Sequence, residues 1–327
     1  MTTWRMCPAI FALALAAFGQ PSPNIRVSVQ LVSVPALVLS KENRLVPNLQ
    51  NSDFIVTDNG KPQTFTVGEM GDSPFSIALA IQTSGDIRTY ANFISKVGSA
   101  VDALLVGTSG EAAVLTYGDE VSLVKPFESG DIQAAVRTIS AGGRHARMLD
   151  AGVRGIHLLA QRSTAHSRVL LLVGQPYDFG SESDLASLQQ QADREHVVIY
   201  ALALPELGTE FVSDTFSLQG LSSRTQRGGF RVDIDLGRLI PILGRSAKVE
   251  VRTDPFSVLT SSTGGAQLHF RTQRQLEDGL RIIGLEMRST YVLSYYPTTT
   301  AAGYHHVKVE VDSVGAKVFA RPGYWHM

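Results

Sequence analysis

The sequence is poor in thiols, in net charge and in long apolar runs, and each shortage removes a class of function. Of 327 residues one is cysteine, Cys7. It falls in a leader-like segment, so the mature chain is expected to carry no thiol, which excludes a disulfide framework, a thiolate metal site and a cysteine nucleophile. Lys plus Arg number 29 against 30 Asp plus Glu, a formal net charge of −1. Such a balance provides no field to hold a phosphate backbone or an anionic membrane, so nucleic acid is not an expected partner. No stretch beyond the first twenty residues approaches the roughly 20 apolar residues of a membrane-spanning helix, and none is expected in the mature chain. The motifs G-x-S-x-G, H-E-x-x-H and G-x-x-x-x-G-K-[ST] are absent, so the usual hydrolase, metalloprotease and nucleotide chemistries have no support and a non-catalytic protein is expected.

What is present points to a folded, exported chain. Hydrophobic residues make up 44% and charged residues 18%, well inside the globular range. Residues 1–19 place Arg5 ahead of an apolar run from Ala9 to Phe18, followed by Gly19. That layout predicts a signal peptide and a secreted or periplasmic mature protein.

From residue 20 to 72 the texture is that of strands. RVSVQLVSVPALVLS alternates and is rich in valine, and Asp58-Asn59-Gly60 separates two short runs as a hairpin turn would, since Asn and Gly tolerate positive φ. From residue 73 the pattern becomes short continuous apolar runs at 76–81, 112–118, 168–174 and 197–204 with helical segments between them. The first such segment sets Tyr90, Phe93, Ile94, Val97, Val101, Leu104 and Leu105 on one face. Strands apolar on both faces with intervening helices predict a mostly parallel α/β sheet with helices on both sides, over residues 73–290. Within it, residues 207–232 are rich in Gly, Ser and Thr and read as a long exposed loop. A helical pattern resumes at Leu236, with Asp233 and Asp235 as its cap, and a last helix covers about 275–288. Residues 291–327 return to strands, and the two ends of the chain are expected to pack together as one small β unit.

Several side chains invite closer reading. His305 and His306 are adjacent on a strand and so point to opposite faces, which prevents both from holding one ion; they read as surface histidines. The run DFGSESD from Asp178 lacks the alternating acids and central glycine of a calcium loop, and Ser181 or Ser183 is expected to cap the helix that follows. Tyr291, Leu293 and Tyr295 share a strand face and are expected to fill the β core.

Quoted in order, LVSVPALVLSKENRLVPNLQNSDFIVTDNGKPQ, PFSIALAIQTSGDIR, AAVLTYGDEVSLVKPF, IDLGRLIPILGRSAK, LTSSTGGAQLHF and LEDGLRIIGLEMRSTYVLSYYP resemble successive parts of the secreted von Willebrand factor A-related proteins of the acidobacterial type. The resemblance covers almost the whole mature chain. It implies a Rossmann-like A domain whose strand-end loops bear a metal-ion-dependent adhesion site, where a partner's carboxylate completes the shell of a divalent cation. Here that pattern is degenerate. The first acid of D-x-S-x-S is Gln82, its middle serine is kept as Ser84 and its last is Asp86. The threonine of the second loop falls on Ala146, and the aspartate of the third on Gln175. The expectation is a site without metal, with Ser84, Asp86 and Asp178 as a weaker shifted site for Mg²⁺ or Ca²⁺ in the alternative. The partner-binding face is then Gln82, Thr83, Ser84 and Asp86, with Tyr117 and Asp119 from the second loop and Gln175, Tyr177 and Asp178 from the third. The function so implied is protein interaction or adhesion with an unknown partner of the cell envelope or outside the cell. A scaffold role in an envelope assembly, with the 207–232 loop as the contact element, is the other reading.

Overall fold

Short apolar strands and amphipathic helices alternate through the middle of the chain, and a β unit built from both ends flanks them. The computed structural model describes residues 31–41, 44–85, 91–107, 110–127, 131–204, 254–269, 273–299, 301–312 and 315–326. The leader-like segment, Asp86, the 207–232 loop and the helix at Leu236 with its acidic cap therefore lie outside the described residues.

The first strands are β1 (Val32–Leu39), β2 (Phe54–Asp58), β3 (Lys61–Pro62) and β4 (Phe65–Glu69). The central region runs β5 (Phe75–Gln82), α1 (Ala91–Val101), a π-helical turn (Asp102–Val106), β6 (Glu111–Tyr117), β7 (Val121–Lys125), α2 (Ile132–Arg137), α3 (Met148–Ala160), β8 (Ser167–Gly174), α4 (Leu185–Arg194), β9 (Val197–Ala203), α5 (Pro255–Thr263), β10 (Gln267–His269) and α6 (Gln273–Ser289). The last strands are β11 (Tyr291–Tyr295), β12 (Gly303–Val311), β13 (Lys317–Ala320) and β14 (Gly323–His326).

The six-stranded sheet has the order β10-β9-β8-β5-β6-β7. All its pairs are parallel except β6 with β7. Alternate residues of its strands feed two cores. Ile77, Leu79, Ile81, Leu171 and Val173 meet α1, α2 and α6 on one face. Ala78, Ala80, Ala113, Leu115, Tyr117, Leu170 and Leu172 meet α3, α4 and α5 on the other. The alanines on that second face let α3 come close, and Gly155 of α3 sits where a Cβ would lie 2.7 Å from Leu170 Cδ1. From β5 the chain goes first to β6 on one side and later to β8 on the other. The strand order thus reverses between β5 and β8, the place at whose carboxyl ends open α/β sheets carry their ligand crevice.

The two ends of the chain interleave. β1 pairs with β11 and β13, and β11 also with β4. β12 pairs with β2 and β14. The two four-stranded sheets share one core containing Val34, Val38, Phe54, Val56, Tyr291, Leu293, Tyr295 and Tyr324. Asn59 and Gly60 take φ of 48° and 78°, the turn that their residue types favour. One expectation is corrected here: His305 is not a surface residue but 1% exposed, while His306 points outward. His305 shares the strand face of Val307, which looks into the core. Arg321 reaches Asp193 of α4 at 2.9 Å in a buried pair between the β unit and the α/β sheet.

Candidate functional site

Three loops meet at the carboxyl ends of β5, β6 and β8. The β5 exit is Gln82-Thr83-Ser84-Gly85, where Gly85 takes a φ of +68°. β6 leads into Gly118 and Asp119, and β8 ends at Gly174, followed by Gln175 to Asp184. Gly174 is a requirement of packing: a Cβ there would stand 2.2 Å from the Tyr117 hydroxyl and 2.6 Å from Gln82 Oε1.

In the crevice itself the polar groups are satisfied by one another. The backbone N–H of Gln175 donates to Gln82 Oε1 at 2.7 Å. Gln82 Nε2 lies 3.3 Å from Ser84 O, 3.4 Å from Ser84 Oγ, 3.5 Å from Gln175 Oε1 and 3.3 Å from the Tyr177 hydroxyl. That hydroxyl donates in turn to Gln175 Oε1 at 3.1 Å. Gln82, Ser84 and Gln175 are 0%, 1% and 7% exposed, so these residues form the floor of the site and not its accessible face.

Of the residues expected to face a partner, the structure thus brings Gln82, Ser84, Gln175 and Tyr177 together. Tyr117 is a correction: it is 0% exposed and donates to Val173 O at 3.3 Å. Burial raises its phenol well above the ordinary range. Thr83 is half-buried and turned to Tyr117 O, 3.2 Å from its hydroxyl. Asp178 is half-buried, and its Oδ1 accepts from Leu149 N at 2.9 Å and from the Ser181 hydroxyl at 2.7 Å. Asp178 therefore caps the start of α3, whose own N-cap position is held by Arg147, a residue without a capping acceptor. The favour is returned by Asp150 of α3, which accepts from Glu182 N at 3.1 Å and Ser183 N at 2.9 Å. Burial would raise the Asp150 carboxyl, but the bonds from Ser183 and Glu182 and the nearby Arg147 prevail and hold it below the usual range. The expected cap of α4 is corrected as well: Asp184 accepts from Ser187 N at 2.7 Å, whereas Ser181 Oγ accepts from Asp150 N at 3.2 Å.

Asp119 is exposed and organises the second loop. Its Oδ1 accepts from His145 N and Arg144 N, both at 2.9 Å, and lies 2.8 Å from His145 Nδ1. Those bonds, the one from His145 N foremost, lower its carboxyl to about 2. Two residues that the sequence did not single out complete the surface. His145 stacks on Phe179, ring centroids 5.2 Å apart and planes 10° from parallel. Phe179 is 58% exposed and Tyr177 38%, while Phe179 is pinned by a two-way backbone bridge to Ala146. A phenylalanine in a polar loop was a signal for the surface; nothing local marked His145.

The described donors do not fit a divalent cation. Ala146 offers no side-chain oxygen, Gln82 and Gln175 carry no charge, and Asp178 Oδ1 already accepts from two donors. Among the described residues no three His, Cys, Asp or Glu side chains are grouped to hold a metal ion.

A hydroxyl, an imidazole and a carboxylate do meet elsewhere, at the opposite ends of the strands. Ser76 Oγ lies 2.9 Å from His166 Nδ1 and donates to Glu111 Oε1 at 2.6 Å. A relay needs the acid on the imidazole nitrogen that faces away from the hydroxyl. Here both hydroxyl and acid face Nδ1, and Ser76 is fully buried. Arg162 forks onto Glu111 at 2.9 and 2.7 Å, so the group ties together the starts of β5 and β6.

A mostly parallel sheet with an antiparallel edge strand, helices on both faces and a strand-order reversal beside β5 is a doubly wound α/β architecture, and the fold is of the von Willebrand A type. No family model matches the sequence, and no curated protein matches it. Among solved structures the chain is similar to a von Willebrand factor type A protein from Catenulispora acidiphila, at 11% identity and a TM-score of 0.45, over 92% of this chain and 75% of that one. It is similar to an aerotolerance-related membrane protein from Bacteroides fragilis at 12% identity and a TM-score of 0.40, over 65% and 98%. The vWF domain of a type V pili tip protein from Porphyromonas gingivalis is similar at 14% identity and a TM-score of 0.28, over 31% and 37%. No helix among the described residues is long and apolar enough to cross a membrane.

Proposed function

We propose that this chain is a secreted or periplasmic, non-catalytic interaction module that docks a protein of the envelope or of the cell's surroundings on its strand-end loops, without a bound metal. The observation that carries this reading is the stacked His145–Phe179 pair beside the exposed Tyr177. Aromatic rings held in place before binding lose little conformational freedom on contact and make effective anchors. Their loops are braced by Asp119, Asp150 and Asp178, whose carboxylates accept backbone amides. The neutral floor beneath favours a contact of rings and neutral hydrogen bonds over a carboxylate clamp on a cation. The crossed placement of Ser76, His166 and Glu111 supports the non-catalytic part of the reading.

The test is competitive capture from the solubilised envelope fraction of the producing cells. Tyr177→Ala/Phe179→Ala should lose a protein that both the wild type and Leu285→Ala retain, Leu285 being an exposed apolar control on α6. Identical captures by all three chains would refute the proposal.

A further inference from the structure

Four oxygen atoms surround one nitrogen at the centre of the crevice. They are Ser84 O, Ser84 Oγ, Gln175 Oε1 and the Tyr177 hydroxyl, all 3.3 to 3.5 Å from Gln82 Nε2. A carboxamide has two hydrogens, so it cannot serve four acceptors with four linear bonds; the long distances are those of shared, bent contacts. Convergent oxygens around one electropositive centre are the arrangement that a cation creates. Here the centre is supplied by the chain itself.

We propose that the Gln82 carboxamide is a built-in substitute for a cation, holding the three loops in their assembled form with no ion. Three further observations fit. The other end of the same carboxamide is fixed, because Gln82 Oε1 accepts from Gln175 N at 2.7 Å, so Nε2 cannot leave the centre without breaking that bond. Every group in the cage is formally neutral, which allows Gln82 and Ser84 to be buried at 0% and 1% exposure without the desolvation cost of a charge. Ala146 is 0% exposed, has no side-chain oxygen to offer an ion, and spends its backbone N–H and C=O on Phe179. Only the functional consequence rests on the proposed docking face: a partner meets the Tyr177 ring above an already closed cage, so binding is indifferent to chelators. The cage chemistry stands without that reading.

The experiment is thermal unfolding of the full chain in excess chelator and then in Mg²⁺, Ca²⁺ and Mn²⁺, for the wild type and for Gln82→Asp/Gln175→Asp. The double variant removes the central N–H groups and gives the cage two carboxylates. The wild type should melt at one temperature throughout. The variant, verified as folded by circular dichroism, should melt lower in chelator and rise by roughly 2 °C in an ion held at ten times its Kd. An ion-specific rise of the wild type overturns the proposal, and so does a folded variant that responds to none. Should the variant not fold, the side-chain amide resonances of Gln82 in the wild type decide the matter. They should persist in excess Mn²⁺, and their paramagnetic loss would place an ion in the cage. None of these results bears on capture by Tyr177 and Phe179, so the two proposals fail separately.

Discussion

Asp58 and His305 form a buried pair, Oδ1 to Nδ1 2.8 Å, that joins β2 from the first part of the chain to β12 from the last. The second oxygen of Asp58 accepts from the Tyr324 hydroxyl at 2.7 Å and the Tyr295 hydroxyl at 3.2 Å. On its other side His305 Nε2 faces Ala301 O at 2.8 Å. One carboxylate thus serves donors from both sheets of the β unit. Asp58→Ala leaves three buried donors without their acceptor and should cost about 3–5 kcal/mol, by analogy with breaking a buried pair. Asp58→Asn keeps one acceptor and should cost less. The midpoint of urea unfolding measures both, and equal, small effects would show that Asp58 is not the hub.

Glu286 on α6 gives the chain a pH dependence of definite sign. Burial pushes its carboxyl up to about 7 from an ordinary value of 4.5. Between those limits the folded state holds a proton that the unfolded state has released, so stability falls as pH rises. Glu286→Gln should therefore be more stable than the wild type at pH 8, by about 1–3 kcal/mol. The advantage should vanish below pH 4.5, as chemical unfolding at the two pH values will read.

Among the described residues β4 is an edge strand, and side chains close its outer side. Asn51 donates from Nδ2 to Phe65 O at 2.8 Å and accepts from Val67 N at 3.0 Å, and Asp72 accepts from Glu69 N at 3.1 Å. An unpaired edge is a template for another strand. Asn51→Ala/Asp72→Ala should therefore promote self-association through this edge, seen by light scattering as a concentration-dependent dimer where the wild type stays unassociated by this route. The double variant also replaced by Pro at Val67 should lose that dimer.

Gly174→Ala tests the packing under the site. Its Cβ must displace the Tyr117 hydroxyl or Gln82 Oε1, and overpacking of this kind costs about 1–3 kcal/mol. The same change should perturb the Gln82 side-chain amide resonances, whereas Gly60→Ala, where a Cβ meets nothing within 4 Å, should leave them in place.

Much of the fold was legible because the central strands are continuous apolar runs and the helices between them are periodic. α2 and β10 were not, since six and three residues are too few to display a period. The site was legible only in part. The positions of Gln82, Ser84 and Gln175 followed from the order of motifs, but burial of Tyr117 required attention to strand parity, which groups it with Ala113 and Leu115 on the α3 face. His305 carried the same signal, sharing the parity of Val307 against the outward Lys308. Asp178 reads locally as a loop acid, and only the three-dimensional structure reveals that it caps a helix beginning 30 residues earlier, at Met148.

The central claim is that the strand-end loops receive a protein partner without a metal. The most direct measurement places a photo-cross-linking amino acid at Phe179, and separately at Ile55 as an exposed control in β2, in chains produced by the native cells. The account predicts one discrete protein adduct from position 179 and not from 55, with the same yield in excess chelator. No adduct at 179, or one that chelator abolishes, would contradict it.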